Sequence, residues 1–157
     1  MSEIRIGTAV PDFELLATSG NTLRLSELRG RNVLLYFYPK ADTPGCTQEG
    51  QDFRDRHGDF AAANTTILGV SRDDLKAQQG FKDKYGFPFE LLCDTQQELC
   101  ERFGVLKEKT RFGRKAIGVE RSTFLIDAAG VLRREWRDVK VNGHADEALQ
   151  AVKALTQ

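Results

Sequence analysis

Val33-Leu34-Leu35-Tyr36-Phe37-Tyr38, followed at once by Pro39-Lys40-Ala41-Asp42-Thr43-Pro44-Gly45-Cys46-Thr47-Gln48-Glu49, is the stretch that decides the fold. Six apolar residues without alternation describe a strand buried on both faces. Thr43 suits a helix N-cap, Pro44 suits the first helical position, and Gly45 lets the backbone turn sharply. A helical pattern then runs to about Ala63, where Asn64 can end it. Cys46 therefore falls in the first turn of a helix, just past the carboxyl end of a buried strand.

That position has chemical meaning, because the thiolate rather than the thiol is the nucleophile. A helix N-terminus, with its unpaired N–H groups, and a nearby cation both favour a thiolate. The Thr43 hydroxyl, three residues earlier, is expected to lie close enough to exchange a hydrogen bond beside the sulfur. A cysteine flanked by Thr, Pro and Gly is also poorly placed to serve as a packed core residue.

Outward from this stretch the chain alternates strands and helices. Period-2 patterning on either side of Thr18-Ser19-Gly20-Asn21 predicts an N-terminal β-hairpin, and Ser26–Gly30 a single helical turn. Thr66–Ser71 reads as a second buried strand. Asp73 or Asp74 then caps a helix to about Tyr85, which Gly80 weakens. Phe89–Cys93 reads as a short strand. Asp94 caps the next helix, with Gln97 completing a capping box and Gly104 stopping it. The polar, basic run Lys107–Gly118 is expected to be an irregular loop. Val119–Ile126 and Val131–Arg137 form strands around a turn at 127–130, and a last helix spans about Ala145–Leu155. In the helix after Cys46, Phe53, Phe60 and Ala61 mark a core face. Such strand–helix units with hairpins at both ends predict an α/β fold, a central mixed β-sheet flanked by helices on both faces. Its sites belong outside the carboxyl ends of the strands.

With 157 residues, the chain suffices for one domain with a proper core, residues 1–157 together. Lys plus Arg equals Asp plus Glu at 23 each, so no basic field invites nucleic acid. No apolar run is long enough to span a bilayer and the start lacks a signal-peptide core, so a cytoplasmic protein with no membrane contact is expected. Three cysteines, an odd number, fit free thiols better than a disulfide framework. Cys93 and Cys100 lie seven apart with no histidine near, which argues against a metal site. His57 and His144 read as surface helix residues, and no cofactor is implied.

Pro39-x-x-x-Thr43-x-x-Cys46 resembles the peroxiredoxin active-site pattern, and the fuller run to Glu49 resembles the PrxQ branch, also called bacterioferritin comigratory protein (BCP). The likeness extends from Val10-Pro11-Asp12-Phe13 through Gly69-Val70-Ser71 to Arg121-Ser122-Thr123-Phe124-Leu125-Ile126-Asp127. It implies a thioredoxin-like fold and a thiol peroxidase acting on hydrogen peroxide and alkyl hydroperoxides. By this resemblance Cys46 attacks the peroxide, Thr43 and the N–H groups near Gly45 donate to it, and Arg121 contacts the sulfur. Glu49 can orient Arg121, while Pro39 and Pro44 shape the pocket; Phe37 and Tyr38 belong to the core or pocket wall. Many members carry a resolving cysteine four positions after the first, and others carry one in the following helix. Here those places hold Gly50 and Lys82. Cys93 and Cys100 remain as possible resolving thiols. A one-cysteine cycle cleared by thioredoxin, glutaredoxin or glutathione is expected, in a monomer or at most a weak dimer. The rival readings are an atypical two-cysteine peroxidase, a dithiol oxidoreductase lacking its first cysteine, and a redox-sensing binding module.

Overall fold

The computed structural model describes residues 4–155. Strands β1 (Glu14–Ala17), β2 (Thr22–Arg24), β3 (Asn32–Phe37), β4 (Thr65–Ser71), β5 (Glu90–Cys93), β8 (Ser122–Ile126) and β9 (Leu132–Trp136) build a seven-stranded sheet, ordered β2-β1-β5-β4-β3-β8-β9. Strands β6 (Leu106–Arg111) and β7 (Arg114–Val119) pair separately. The helices are α1 (Pro44–Asp55), α2 (His57–Ala62), α3 (Leu75–Tyr85), α4 (Glu98–Arg102) and α5 (His144–Leu155), with a 3-10 turn at Leu25–Leu28.

All six residues of β3 are buried, as an unbroken apolar run requires. Alternate side chains enter two separate cores: Val33, Leu35 and Phe37 on one face, Leu34 and Tyr36 on the other. The first core is covered by the N-terminal segment, the 3-10 turn and α4; the second by α1, α2, α3 and α5. β3, β4 and β5 run parallel, while β8 runs antiparallel to β3 and sets Tyr36 opposite Thr123 and Phe37 opposite Ser122. The mixed sheet, its helices on both faces and the β1–β2 hairpin agree with the sequence.

Five expectations need correction. The helix after Cys46 breaks at Arg56 (φ −108°, ψ 7°), where Gly58 lowers helix propensity. The break shifts the helical phase, so Phe53 and Phe60 stay buried while Ala61 faces solvent. Residues 107–118 are a regular hairpin rather than a loop, turned by Phe112 (φ 53°) and Gly113 (φ 75°). Both positive φ values mark a tight hairpin turn. Val119–Ile126 is two strands, because Glu120 and Arg121 carry the chain from this hairpin into the main sheet. Gln97 (φ 60°) is itself the N-cap of α4, and Asp94 reaches past it to accept from the Leu99 and Cys100 amides at 3.1 and 2.7 Å.

His144, expected at the surface, is buried. Its Nε2 lies 2.8 Å from Thr123 Oγ1, and its ring meets Phe53 and Trp136 edge-on. Burial lowers its pKa to about 4 from 6.5. In the unfolded chain the ring protonates near 6.5 while in the fold it stays neutral, so this residue's contribution to stability falls as pH drops from about 6.5 toward 4. Compared with His144→Gln, the native protein should lose about 2 kcal/mol more stability between pH 7.5 and 5. Urea midpoints of both proteins at the two pH values check this, and equal losses would refute it.

Candidate active site

Cys46 is the third residue of α1. Thr43 is the N-cap (φ −102°, ψ 157°) and Pro44 opens the helix, as the sequence indicates. The residue is buried, 2% exposed, within the core that also holds Tyr36, Tyr38 and Phe53. From the other side Arg121, at the junction between β7 and β8, brings Nη2 to 3.4 Å from Cys46 Sγ. The same guanidinium donates through Nη1 to Glu49 Oε1 at 2.7 Å. Because β8 pairs with β3, Arg121 is delivered to the carboxyl end of β3, beside the N-terminus of α1.

Glu49, one turn after Cys46 on α1, is 1% exposed. Burial pushes its carboxyl up to about 7, against the opposing pull of Arg121. For Arg121, burial alone would lower the pKa; the charges of Glu49 and Cys46 outweigh it and hold it above the ordinary value. Glu49 Oε2 and Tyr36 Oη have no hydrogen-bond partner among the described residues.

Gly45 has a different use from the one its sequence context suggests. A Cβ there would stand 3.0 Å from Arg121 Nη2, so the missing side chain is what lets the guanidinium lie against the first turn of α1. The Thr43 hydroxyl donates to the Lys40 carbonyl at 2.8 Å and makes no capping bond. Pro39 and Pro44 are exposed and flank the loop; Phe37 and Tyr38 are buried, on opposite faces of the sheet. Of the two candidate caps the sequence offers for α3, Asp74 is the N-cap, while Asp73 holds this loop by accepting from the Ala41 amide at 2.8 Å. The sequence signal for this use is the Ser71-x-Asp73 pattern where a strand ends.

Neither of the other thiols belongs to the core that holds Cys46. Cys100 is fully buried in the core on the opposite face of the sheet from Cys46, and burial pushes its pKa well up. Cys93 ends β5 opposite Ser71; burial and the nearby Asp74 and Asp73 raise its thiol to about 11. The place of Gly50 is packed: a Cβ there would come within 2.4 Å of the Phe87 ring. That ring is held between Phe81, Tyr85 and Phe89. Lys82 Nζ is bound to the Phe89 carbonyl at 2.9 Å and lies 3.4 Å from Glu90. Among the described residues no group of three His, Cys, Asp or Glu side chains could hold a metal ion. No described helix is long and apolar enough to cross a membrane.

The AhpC/TSA family matches residues 6–135. The chain is 49% identical to the peroxiredoxin Bcp of Bacillus subtilis (strain 168), covering 98% of both proteins. Among solved structures it is similar to Xanthomonas campestris peroxiredoxin Q (44% identity, TM-score 0.89, 92% of both chains). A PrxQ mutant of Xylella fastidiosa is likewise similar (40% identity, TM-score 0.94, 100% of both chains). A structure of the X. campestris bacterioferritin comigratory protein, 43% identical, concerns that protein's alkyl peroxide reduction activity.

Gly45→Ala should move the guanidinium off the sulfur at little cost to folding. We expect about a tenfold slower reaction of Cys46 with hydrogen peroxide, since small misplacements of a reacting group are costly. Stopped-flow oxidation of the two proteins measures this, and an unchanged rate would contradict the close approach.

Proposed function

This chain belongs to the AhpC/TSA family, in its PrxQ/BCP branch of peroxiredoxins, thiol peroxidases of thioredoxin-like fold; from that premise we propose that Cys46 is its peroxide-reducing residue. The observation that supports this is the single guanidinium of Arg121 spanning Glu49 and the Cys46 sulfur. In this reading the Cys46 thiolate, with Arg121 Nη2 beside it, attacks the nearer peroxide oxygen. The O–O bond breaks, the sulfur keeps one oxygen as sulfenic acid, and the departing oxygen takes a proton and leaves as water or alcohol. Arg121 Nη2 and the backbone N–H groups at Gly45 and Cys46 stabilise charge as it builds on that oxygen, and Thr43 binds the peroxide. Donors of this kind typically lower a barrier by ~2.7–4 kcal/mol each. Glu49 fixes the plane of the guanidinium, and Pro39 and Pro44 stiffen the loop.

The sulfenic acid is resolved from outside. A thiol condenses with it, releasing water and leaving a mixed disulfide, which a second thiol reduces. Support for this one-cysteine cycle comes from α1 carrying no cysteine besides Cys46 and α3 carrying none, the two helices where the resemblance would place a resolving thiol. The burial of Cys100 across the sheet and the raised pKa of Cys93 point the same way. Hydrogen peroxide and alkyl hydroperoxides are the substrates; thioredoxin, glutaredoxin or glutathione is the reductant, in the thiol-rich cytoplasm.

Cys46→Ser should abolish peroxide consumption, and Arg121→Ala should lower kcat/KM for peroxide on the order of 10²-fold. Consumption assays with each reductant supplied separately measure both. Mass spectrometry of peroxide-treated protein should find Cys46 as sulfenic acid or joined to an added thiol. A Cys46–Cys93 or Cys46–Cys100 bond formed at turnover speed would overturn the one-cysteine cycle.

A further inference from the structure

The loop that carries Thr43 is suspended from the β4–α3 connection. Asp73 Oδ2 accepts two hydrogen bonds, from the Ala41 amide at 2.8 Å and from the Ser71 hydroxyl at 2.6 Å. Ser71 is the last residue of β4 and fully buried, and its hydroxyl also accepts from the Asp73 amide at 3.2 Å. The carboxylate is thereby tied to the rigid centre of the sheet. The loop is held a second time at Asp42, which occupies the left-handed region (φ 59°) and takes bonds from Lys84 Nζ at 3.0 Å and Tyr85 Oη at 2.7 Å. Non-glycine residues rarely remain in that region unless their surroundings enforce it.

The Ala41 N–H and the Lys40 C=O are two ends of one peptide plane. Asp73 grips the N–H end, and the Thr43 hydroxyl donates to the C=O end at 2.8 Å. The plane is rigid and its bonds are trans. Fixing one end therefore fixes the direction in which the other accepts. A negative partner on the N–H also polarises the amide and strengthens its carbonyl as an acceptor. With its proton committed to Lys40, the Thr43 oxygen keeps its lone pairs free in a set direction.

We propose that Asp73 is a positioning residue for Thr43, acting through the Lys40–Ala41 peptide to set the orientation of the threonine hydroxyl toward the peroxide. This rests on the reading of Thr43 as a peroxide-binding residue. Asp73 makes no hydrogen bond to Cys46; it reaches the site through the loop it holds, and the Thr43 hydroxyl is the group through which it acts.

The test is the second-order rate constant for Cys46 oxidation by hydrogen peroxide, measured by stopped flow well below each variant's melting temperature. Asp73→Ala should slow oxidation about tenfold, and Asp73→Asn, which keeps an acceptor oxygen for the Ala41 amide, should recover most of the rate. Ser71→Ala, a milder change that loosens the same carboxylate, should cost two- to threefold. In a Thr43→Val background, both Asp73→Ala and Ser71→Ala should have no further effect. Losses that multiply with that of Thr43→Val would overturn the proposal, as would an Asn variant as slow as the Ala variant or a native rate in Asp73→Ala. A separate result bears on the underlying reading: a Thr43→Val protein as fast as the native one removes Thr43 from the site itself.

Discussion

One cation shared by a carboxylate and a sulfur is the constraint on which the rest of this structure depends. Arg121, Glu49 and Cys46 lie largely out of water, and taking an ion from water into a protein interior costs several kcal/mol. Only close, well-aimed partners offset that cost, so the guanidinium must be held at 2.7 Å from one and 3.4 Å from the other. Other features serve this geometry. The antiparallel pairing of β8 with β3 delivers Arg121, the α1 register brings Cys46 and Glu49 onto one side, and Gly45 leaves the space between them.

The central strand and the place of Cys46 in the first turn of a helix were the parts most open to reading from sequence. An apolar run without alternation can only be buried on both faces, and Thr-Pro-Gly-Cys sets its own helix start. Turn residues were nearly as informative: Asn64 and Gly104 end their helices in left-handed conformations, as their identities suggest. What escaped depended on partners distant in sequence. His144 looks like any polar residue at a helix start until Thr123, Phe53 and Trp136 close around it. Neighbouring residues also hid Gly45, whose importance comes from an arginine 76 positions later.

The β6–β7 hairpin was missed for a different reason. Most of its side chains meet solvent, so it lacks the alternation that marks a half-buried strand, and Lys and Glu are poor strand formers. Only its root, Leu106 and Val119, packs on the core. The hairpin leads directly through Glu120 into Arg121, so the site's cation is presented by a segment anchored mainly by its base and by the Glu120 amide on the Val105 carbonyl at 2.7 Å.

The ring of Phe87 and a side chain at position 50 compete for the same volume. A larger side chain at position 50 is therefore not a one-step change. A cysteine arriving first meets an aromatic cluster that has no room for it, and a smaller residue replacing Phe87 first leaves a hole beside Phe81 and Phe89. Position 50 and Phe87 are therefore tied to each other in volume, so that growth at one has to be met by shrinkage at the other.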